Sequence, residues 1–289
     1  MNALRKEYDC FGPWLLEINN QEEVPPIFKD AYHYGDDVKF AFKIPVHVER
    51  RNTSPGSILY DSVISLNDEQ IYIFNLVKTS VSARVIHYRE ILFIQNIKNL
   101  LKGELKIYIS GEPIFIHYNT ISSTVIDHVV EILRQKYTQE NIKTYELPHL
   151  NEVPTMIPLF ENLWNQLERK EQVAILNYQP VVKLSANKKS LLEKIFQWRY
   201  RIELQGNVFA SNKKELIIMS RINCTKYSRR ADYSDMHTYI PFNHISDITI
   251  EQNNEFDNLK NISIQIDNHV VVFMINKNLH MEEWVNLLR

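Results

Sequence analysis

A nine-residue pattern occurs twice in this chain, as IHYREILFI over residues 86–94 and as IPFNHISDI over residues 240–248. In both segments the first residue is isoleucine, the third is aromatic, and the sixth and ninth are isoleucine again. Two short runs of alternating apolar residues follow each segment, and an amphipathic stretch follows the runs. Because the order and the spacing both agree, the sequence indicates an internal duplication.

The alternating runs predict antiparallel strands with one buried face. Residues 104–110 and 261–267 alternate Ile or Leu with polar residues, which is the two-residue period of a strand. Turn signals follow them at Ser110-Gly111-Glu112 in the first copy and at Asp267-Asn268-His269 in the second. Each copy is therefore expected to contain a hairpin directly after the repeated pattern.

The two copies also match upstream of the repeated pattern. Residues 63–73 resemble residues 208–218 at an offset of 145, whereas an offset of 154 relates the repeated patterns themselves. The second copy therefore carries about nine extra residues between these points.

Each copy ends in a stretch that predicts an amphipathic helix, near 122–137 and near 278–289. Ser122, Ser123 or Thr124 can cap the first helix, and Asn278 is the expected cap of the second. Apolar residues recur at helical spacing in both stretches. These residues are Val125, Val129, Ile132 and Leu133 in the first helix, and Met281, Trp284, Val285 and Leu288 in the second.

The fold class that follows is α+β and mostly β, with two small antiparallel barrels that are each closed by a C-terminal helix. We divide the chain into an N-terminal extension over 1–57 that packs on the first unit, a first unit over 58–137, a linker with helices over 138–199, and a second unit over 200–289.

The sequence pattern of the linker differs from that of the two units. Three prolines between residues 145 and 158 indicate irregular chain, and Pro158 begins an amphipathic helix over 159–167. Residues 173–184 are predicted to be extended, and a short helix is predicted at 191–196. Val38 to Val48 is a weaker strand prediction that would correspond to 173–184.

The repeated pattern, the alternating strands and the final helix together resemble the bacterial pleckstrin-homology-like domains. In that family the pattern marks a strand-turn-strand that joins the two halves of a partly open barrel, and the helix plugs one end. The resemblance covers roughly 58–137 and 200–289. It implies no catalytic residue, because the family shares none.

Composition restricts the compartment and the class of partner. The chain has 289 residues and a formal net charge of −2, which argues against a general nucleic-acid binder. Cys10 and Cys224 form no disulfide framework, which favours a reducing compartment. The N-terminal twenty residues contain no secretory apolar region, and the most apolar run, 270–275, is far too short to span a membrane. We therefore expect a cytoplasmic protein.

Several chemistries lack the residues that they need. The six glycines are scattered, so no phosphate-binding loop is expected, and the ten histidines show no metal-ligand spacing. No nucleophile elbow occurs, and the paired acids Asp36-Asp37 and Glu22-Glu23 lie in polar, turn-like stretches. The sequence thus predicts no catalytic residue, no cofactor and no metal.

Basic residues near the start of the second copy form the candidate binding site. In pleckstrin-homology domains, lysines and arginines near the first hairpin hold phosphoinositide head groups, and the turn at Lys213 and Lys214 resembles that hairpin. Tyr227 and Tyr233 are interleaved with the other basic residues, and Asp232 and Asp235 dilute the positive charge. The complete candidate set is Lys213, Lys214, Arg221, Lys226, Arg229 and Arg230.

The sequence leaves three functions open. The first is a non-enzymatic binding or scaffold protein that presents strand edges and loops to a protein partner. The second is a peripheral membrane protein that uses the basic loop on anionic lipid. The third is an enzyme with a site that the sequence does not display.

Overall fold

The structure is a computed structural model, and it describes residues 3–139, 143–184 and 202–288. The helix predicted at 191–196 lies outside the described residues. The chain forms two compact units. Unit 1 consists of Met1–Ile91, Leu101–Glu104 and Ile116–Glu140, and unit 2 of Leu92–Leu100, Leu105–Phe115 and Asn141–Arg289.

Unit 1 begins with helix α1 (Ala3–Cys10) and contains a five-stranded antiparallel sheet in which each strand pairs with the next one along the chain. Its β4–β5 turn places Lys78 at φ 59°, in the left-handed region. The strands are β1 (Leu16–Glu17), β2 (Phe40–Pro45), β3 (Tyr60–Leu66), β4 (Gln70–Val77) and β5 (Ser80–His87). Strand β2 falls within the stretch Val38 to Val48, where the sequence indicated a strand.

The core of unit 1 draws heavily on the N-terminal segment. Phe11, Ile18 and Phe28 pack in one cluster with Tyr60 and Val63 of β3. Phe11 and Tyr60 meet edge to face, with ring centroids 6.1 Å apart. The first 57 residues thus contribute both strands and core side chains.

A short 3-10 turn, Tyr88–Glu90, ends β5 and begins a meander of three strands. The strands are β6 (Ile91–Asn99), β7 (Lys102–Ile109) and β8 (Ile114–Asn119). Helix α2 (Ser123–Tyr137) follows and buries Ile126, Val129, Val130 and Leu133, which confirms the first predicted helix.

The start of α2 differs from the prediction in its capping. Ser122 occupies the N-cap position, but its side chain makes no capping bond. Its hydroxyl instead accepts a hydrogen bond from the Leu15 backbone N–H at 2.9 Å. Asn119 caps the preceding 3-10 turn by accepting from the Ile121 N–H.

The largest sheet has seven strands in the order β8-β7-β6-β15-β13-β12-β9. Its later strands are β9 (Ala174–Gln179), β12 (Asn207–Ser211), β13 (Glu215–Ser220) and β15 (Ser234–Pro241). Within unit 2, β6 pairs antiparallel with β15, from Ser234 opposite Asn99 to Tyr239 opposite Ile94. The buried Gln95 donates to the hydroxyl of the buried Thr238 at 3.2 Å and accepts from the Tyr108 hydroxyl at 3.0 Å. One sheet thus continues from the first copy of the sequence repeat into the second.

A separate three-stranded sheet of unit 2 has the order β16-β17-β18. It begins after the 3-10 turn Phe242–His244 and comprises β16 (Ile245–Gln252), β17 (Leu259–Ile266) and β18 (His269–Asn276). Helix α4 (Glu282–Leu288) follows and buries Trp284, Val285 and Leu288 in the main core of the unit. The prediction that Asn278 caps this helix is wrong, because the helix begins four residues later.

A small fourth sheet joins the linker to the insertion of the second copy. It pairs β10 (Val182–Lys183), β11 (Ile202–Leu204) and β14 (Thr225–Tyr227). Upstream, helix α3 (Pro158–Glu168) begins at Pro158 as predicted and buries Phe160, Leu163, Trp164 and Leu167. The insertion is therefore partly a strand rather than only a loop.

The order of elements recurs along the chain. Four strands lead to a 3-10 turn, then three strands and a helix, first in β2–β8 with α2 and again in β9, β12, β13 and β15–β18 with α4. In both places the 3-10 turn lies within the repeated nine-residue pattern. The class predicted from the sequence, mostly β with a few helices and several antiparallel sheets, is confirmed.

Candidate functional site

The six basic residues of the sequence prediction lie in two groups. Lys213 and Lys214 form the turn between β12 and β13, with Lys213 at φ 73°. Lys213 pairs with Glu146 at 2.7 Å, and Lys214 is exposed. The other four lie beyond the opposite end of β13. Because β13 has six residues, its length places roughly 20 Å between the two groups.

Arg221 takes part in a network that holds the insertion to the sheet. Its guanidinium donates to the Ser234 backbone carbonyl, and Asp232 accepts from both the N–H and the hydroxyl of Ser234. Burial would raise the pKa of Asp232, but the bonds from Ser234 and Gln205 and the nearby Arg221 outweigh it and lower that pKa. Arg221 and Asp232 therefore serve the structure of the loop.

The exposed part of the insertion combines cations with aromatic rings. The Arg230 guanidinium lies 5.5 Å from the centroid of the Tyr227 ring, and Arg229 is exposed beside it. Tyr233 is 63% exposed. Lys226 lies within β14, opposite Glu203 of β11.

A different site lies at the outer edge of β16, the first strand of the three-stranded sheet. Asn253 donates its N–H to Leu259 on the β17 side, so Thr249 and Glu251 also direct their backbone groups toward β17. Ile250 and Gln252 alternate with them and direct their backbone groups outward. No described strand pairs with this edge.

A hollow of about 230 Å³ lies between this edge and helix α4. The volume is below the ~300–1,000 Å³ of ordinary small-molecule sites, and it suits one or two amino-acid side chains. Ile250 and Val285 supply apolar walls, and both belong to the core cluster of unit 2 or pack against it. The lining residues are Ile250, Glu251, Gln252, Lys260, Glu282, Val285 and Asn286.

The charges around the hollow leave an excess of carboxylate. Lys260 pairs with Glu282 at 3.1 Å. The pKa of Glu282 is lowered chiefly by its own backbone N–H, with further contributions from Lys260 and the Met281 N–H. Glu251 is exposed and has no ion pair within the described part of the chain. The site is therefore negative when Glu251 and Glu282 are ionised and Lys260 is protonated.

The equivalent edge in the first copy is already occupied. β6 and β16 hold the same place in the recurring order, since each follows the 3-10 turn and begins a three-stranded meander. β6 pairs along its outer edge with β15, whereas β16 has no such neighbour among the described strands. Among the described strands, the edge of β6 is thus paired, whereas the corresponding edge of β16 is not.

The opposite edge of this sheet, β18, is partly covered. The Gln179 side chain accepts from the Asn276 N–H at 2.7 Å, and the Cys224 sulfur accepts from the Met274 N–H. Burial raises the pKa of the Cys224 thiol. Among the described residues, none that we identify covers the stretch with the exposed Val270 and Val272, and this stretch does not line the hollow.

Sequence reasoning did not identify the β16 edge. Alternation shows which side chains of β16 are buried. It does not show whether the backbone N–H and C=O groups are paired, because these groups are the same in almost every residue type. The residues around the hollow also come from separate elements, since Ile250 and Gln252 belong to β16 and Glu282 belongs to α4. The available signal was the match between the sequences of β6 and β16. No described strand pairs with β16 in the way that β15 pairs with β6.

Two further kinds of feature, metal-ligand clusters and membrane-spanning helices, are not found in the described residues. Within residues 3–139, 143–184 and 202–288, no group of three or more His, Cys, Asp or Glu could hold a metal ion. Among the described helices, none combines the length and the apolar character that a membrane span requires.

Comparison with known proteins gives a likeness to solved structures only. No protein-family model matches the chain, and no curated protein matches it. The chain is similar to a solved structure of a DUF1696 family protein with a pleckstrin-homology domain from Shewanella loihica PV-4. The identity is 14%, the match covers 44% of this chain and 99% of that one, and the TM-score is 0.29.

Proposed function

We propose that this chain is a non-enzymatic binding protein with tandem pleckstrin-homology-like barrels, and that it captures a protein partner at the open β16 edge. An extended segment of the partner would add to the sheet as a further antiparallel strand next to α4. Such strand addition is a common mode of peptide recognition, in which backbone hydrogen bonds supply affinity and side-chain pockets supply specificity.

The observation that carries the proposal is the contrast between β6 and β16. β6 accepts the antiparallel strand β15 over six residue pairs. The outward backbone groups of Ile250 and Gln252 could form the same hydrogen bonds, but no described strand pairs with them. Exposed strand edges are normally blunted or covered, so an open edge with an adjacent hollow favours a binding role.

The size of the hollow supports a peptide rather than a metabolite. About 230 Å³ accommodates a side chain of a docked strand but not an ordinary small substrate. We accordingly propose no catalytic role. The free thiols of Cys10 and Cys224 are consistent with action in the reducing cytoplasm.

Photo-crosslinking in the native host tests this proposal. A photoreactive amino acid replaces Gln252, and the matched control carries it at Val272 on the β18 edge of the same sheet. We expect a discrete protein adduct from position 252 that is absent from position 272. Adducts of the same mass from both positions, or none from position 252, would refute partner capture at this edge.

A second candidate function rests on the exposed Tyr227, Arg229, Arg230 and Tyr233. Basic and aromatic residues together suit the surface of an anionic membrane. The roughly 20 Å between this group and Lys213 with Lys214 weakens that alternative, because the six basic residues do not converge.

A further inference from the structure

Strand β5 is a second open edge, and it belongs to unit 1. It is the last strand of the five-stranded sheet, and no described strand pairs with its outer side. Tyr88, directly after β5, donates its N–H to the Glu69 carbonyl directly before β4, so every second residue of β5 counted back from Tyr88 bonds toward β4. Val81, Ala83 and Val85 alternate with these residues and direct their backbone groups outward.

The second copy contains the counterpart of this edge with a strand already beside it. β5 and β15 are related by the same offset of 154 residues as the repeated patterns. Phe242 after β15 donates its N–H to the carbonyl directly before β13, just as Tyr88 does for β5 and β4. The outer edge of β15 pairs with β6, and His237 lies opposite Asn96 there. β16 is the counterpart of β6 under the same offset, but β5 and β16 are not paired among the described strands.

The offset also gives a definite register for a pairing of β5 with β16. The counterpart of His237 opposite Asn96 is Ala83 opposite Ile250, and the next such pair joins Val81 with Gln252. All four of these β5 and β16 residues direct their backbone groups outward from their own sheets. Because only residues that point toward each other form hydrogen-bonded pairs, this agreement supports the register independently of the repeat.

We infer that the partner at the β16 edge is a second copy of this chain, which adds its β5 as the neighbouring antiparallel strand. This inference rests on the proposed function, since it names the occupant of the same edge. The pairing runs from Ser80 opposite Asn253 to Ala83 opposite Ile250. It stops before Ile248, whose N–H already donates to the side chain of the preceding aspartate at 2.8 Å. The contact joins different surfaces of identical chains, so successive contacts close into a ring or continue as a filament.

The charges of the two edges are complementary. Glu251 is exposed, has no ion pair among the described residues, and lies opposite Ser82 in this register. Arg84 is exposed on the same face of β5, within reach of a diagonal contact with Glu251. Residues 77–87 contain no acid, and residues 245–252 contain no lysine or arginine. Pairing two β5 strands or two β16 strands would instead bring like charges together.

The side chains of the two strands also fall on matching faces. Val81 and Val85 share one face of β5, on which Val81 packs against the core of its unit and Val85 is 46% exposed. Ile250 lies on the face of β16 that packs against the core of unit 2. In the combined sheet these apolar side chains share one face, whereas Ser82 and Glu251 share the opposite, polar face.

Disulfide formation between two different variants of the full chain tests the register. Ser82→Cys protein is mixed with Glu251→Cys protein under mild oxidation. Their Cα atoms would lie about 4.5 Å apart as a non-hydrogen-bonded pair, which a disulfide can bridge. We expect a covalent dimer in which mass spectrometry finds position 82 linked to position 251. Val272→Cys on the β18 edge is the matched control, and it should form no link to position 82.

Sedimentation velocity over a concentration series tests the association itself. We expect the wild-type chain to self-associate as its concentration rises. Ser82→Lys places a cation opposite Glu251 and should tighten the association about twofold to fivefold, whereas Ser82→Glu should weaken it by a similar factor. Glu251→Gln should remove the gain from Ser82→Lys. Ser110→Lys, at an exposed position in the β7–β8 turn, is the control and should change nothing.

Proline variants locate the association at these two edges. Ala83→Pro and Gln252→Pro each remove one outward N–H without breaking the ladder on the inner side of the strand, and each should abolish self-association. Val272→Pro removes an outward N–H from the β18 edge and should leave it unchanged. Association that survives both Ala83→Pro and Gln252→Pro would overturn the inference.

The outcomes separate this inference from the proposed function. A photo-crosslinked adduct from position 252 with twice the mass of the chain would uphold both. An adduct with a different protein, without a disulfide between positions 82 and 251, would uphold partner capture but overturn the second copy. A chain that stays monomeric at every concentration and forms no such disulfide would overturn the inference, while crosslinking at position 252 judges the proposed function separately.

Discussion

The indole Nε1 of Trp284 in α4 donates a hydrogen bond to the side-chain oxygen of Asn177 in β9, at 2.6 Å. Both side chains are buried, and the Asn177 amide in turn donates to the His280 backbone carbonyl at 3.0 Å. Strand β9 therefore holds the last helix of the chain through a satisfied polar pair within the core.

Replacing Trp284 with alanine should destabilise the protein strongly. The substitution removes a large side chain that is 2% exposed, and it leaves the Asn177 oxygen without its donor. We expect a loss of about 3–5 kcal/mol in the free energy of unfolding, measured by urea denaturation. Leu287→Ala, on the exposed side of the same helix, is the control, and a loss below about 1 kcal/mol for Trp284→Ala would contradict a core role.

Gly103→Ala should destabilise unit 1 through a clash. Gly103 lies in β7, and a Cβ at this position would overlap the ring of Tyr118 in β8, which is buried. Moving that ring should cost about 1–3 kcal/mol. Gly111→Ala in the β7–β8 turn is the matched control, because a Cβ there meets only ordinary contact. Equal melting temperatures for both variants would mean that the ring shifts freely.

The buried Lys43 should give the stability a distinctive pH dependence. Its Nζ donates to the Glu23 carbonyl at 2.8 Å and lies 4.6 Å from the centroid of the Tyr60 ring. Burial lowers the pKa of Lys43, although Glu7 and Glu23 counteract part of the effect. Between this lowered pKa and the ordinary value near 10.5, the unfolded chain binds more protons than the folded chain.

Wild-type stability should therefore rise relative to Lys43→Met as the pH increases toward 10.5. Each unit of pKa lowering corresponds to about 1.4 kcal/mol across this window. Urea denaturation of both proteins at several pH values from 7 to 10 measures the difference, with exposed Lys102→Met as the control. A difference that stays constant with pH would show that Lys43 keeps its ordinary pKa.

Liposome co-sedimentation should show little binding at physiological salt. Each basic residue near an anionic surface contributes about 1 kcal/mol, but the two basic groups lie at opposite ends of β13, and Lys213 and Arg221 have partners within the protein. Arg229→Ala/Arg230→Ala and Lys213→Ala/Lys214→Ala are the matched double variants. Strong sedimentation at physiological salt that either double variant abolishes would favour the membrane alternative instead.

Much of the local structure could be predicted because it depends on local patterns. Alternating apolar residues located β7 and β17, and apolar residues at helical spacing located α2, α3 and α4. The turn at Asp267 was also foreseen, and Asp267 takes a positive φ of 51° there. In each case neighbouring residues decide the conformation, so a short window of sequence contains the information.

The pairing of β6 with β15 could not be predicted in the same way. Alternation shows which residues of a strand are buried, but it does not show which strand lies beside it. Many strands of this chain have a similar alternation and could pair with β6 equally well. Ser122 shows the same limit, since it stands at the expected cap position but bonds to the distant Leu15. Long-range partners of this kind depend on the completed fold.

The β6–β15 pairing also determines when the seven-stranded sheet can form during synthesis of the protein. Gln95 and Thr238, which meet across the two strands, are 143 positions apart. A ribosome that adds roughly 5–20 residues per second would deliver β15 roughly 7–30 s after β6. During that interval the outer edge of the nascent β6 exposes unpaired backbone N–H and C=O groups, because β15 has not yet been synthesised. The seven-stranded sheet is therefore completed only after residue 241 has been synthesised, and the growing chain depends until then on protection from its surroundings.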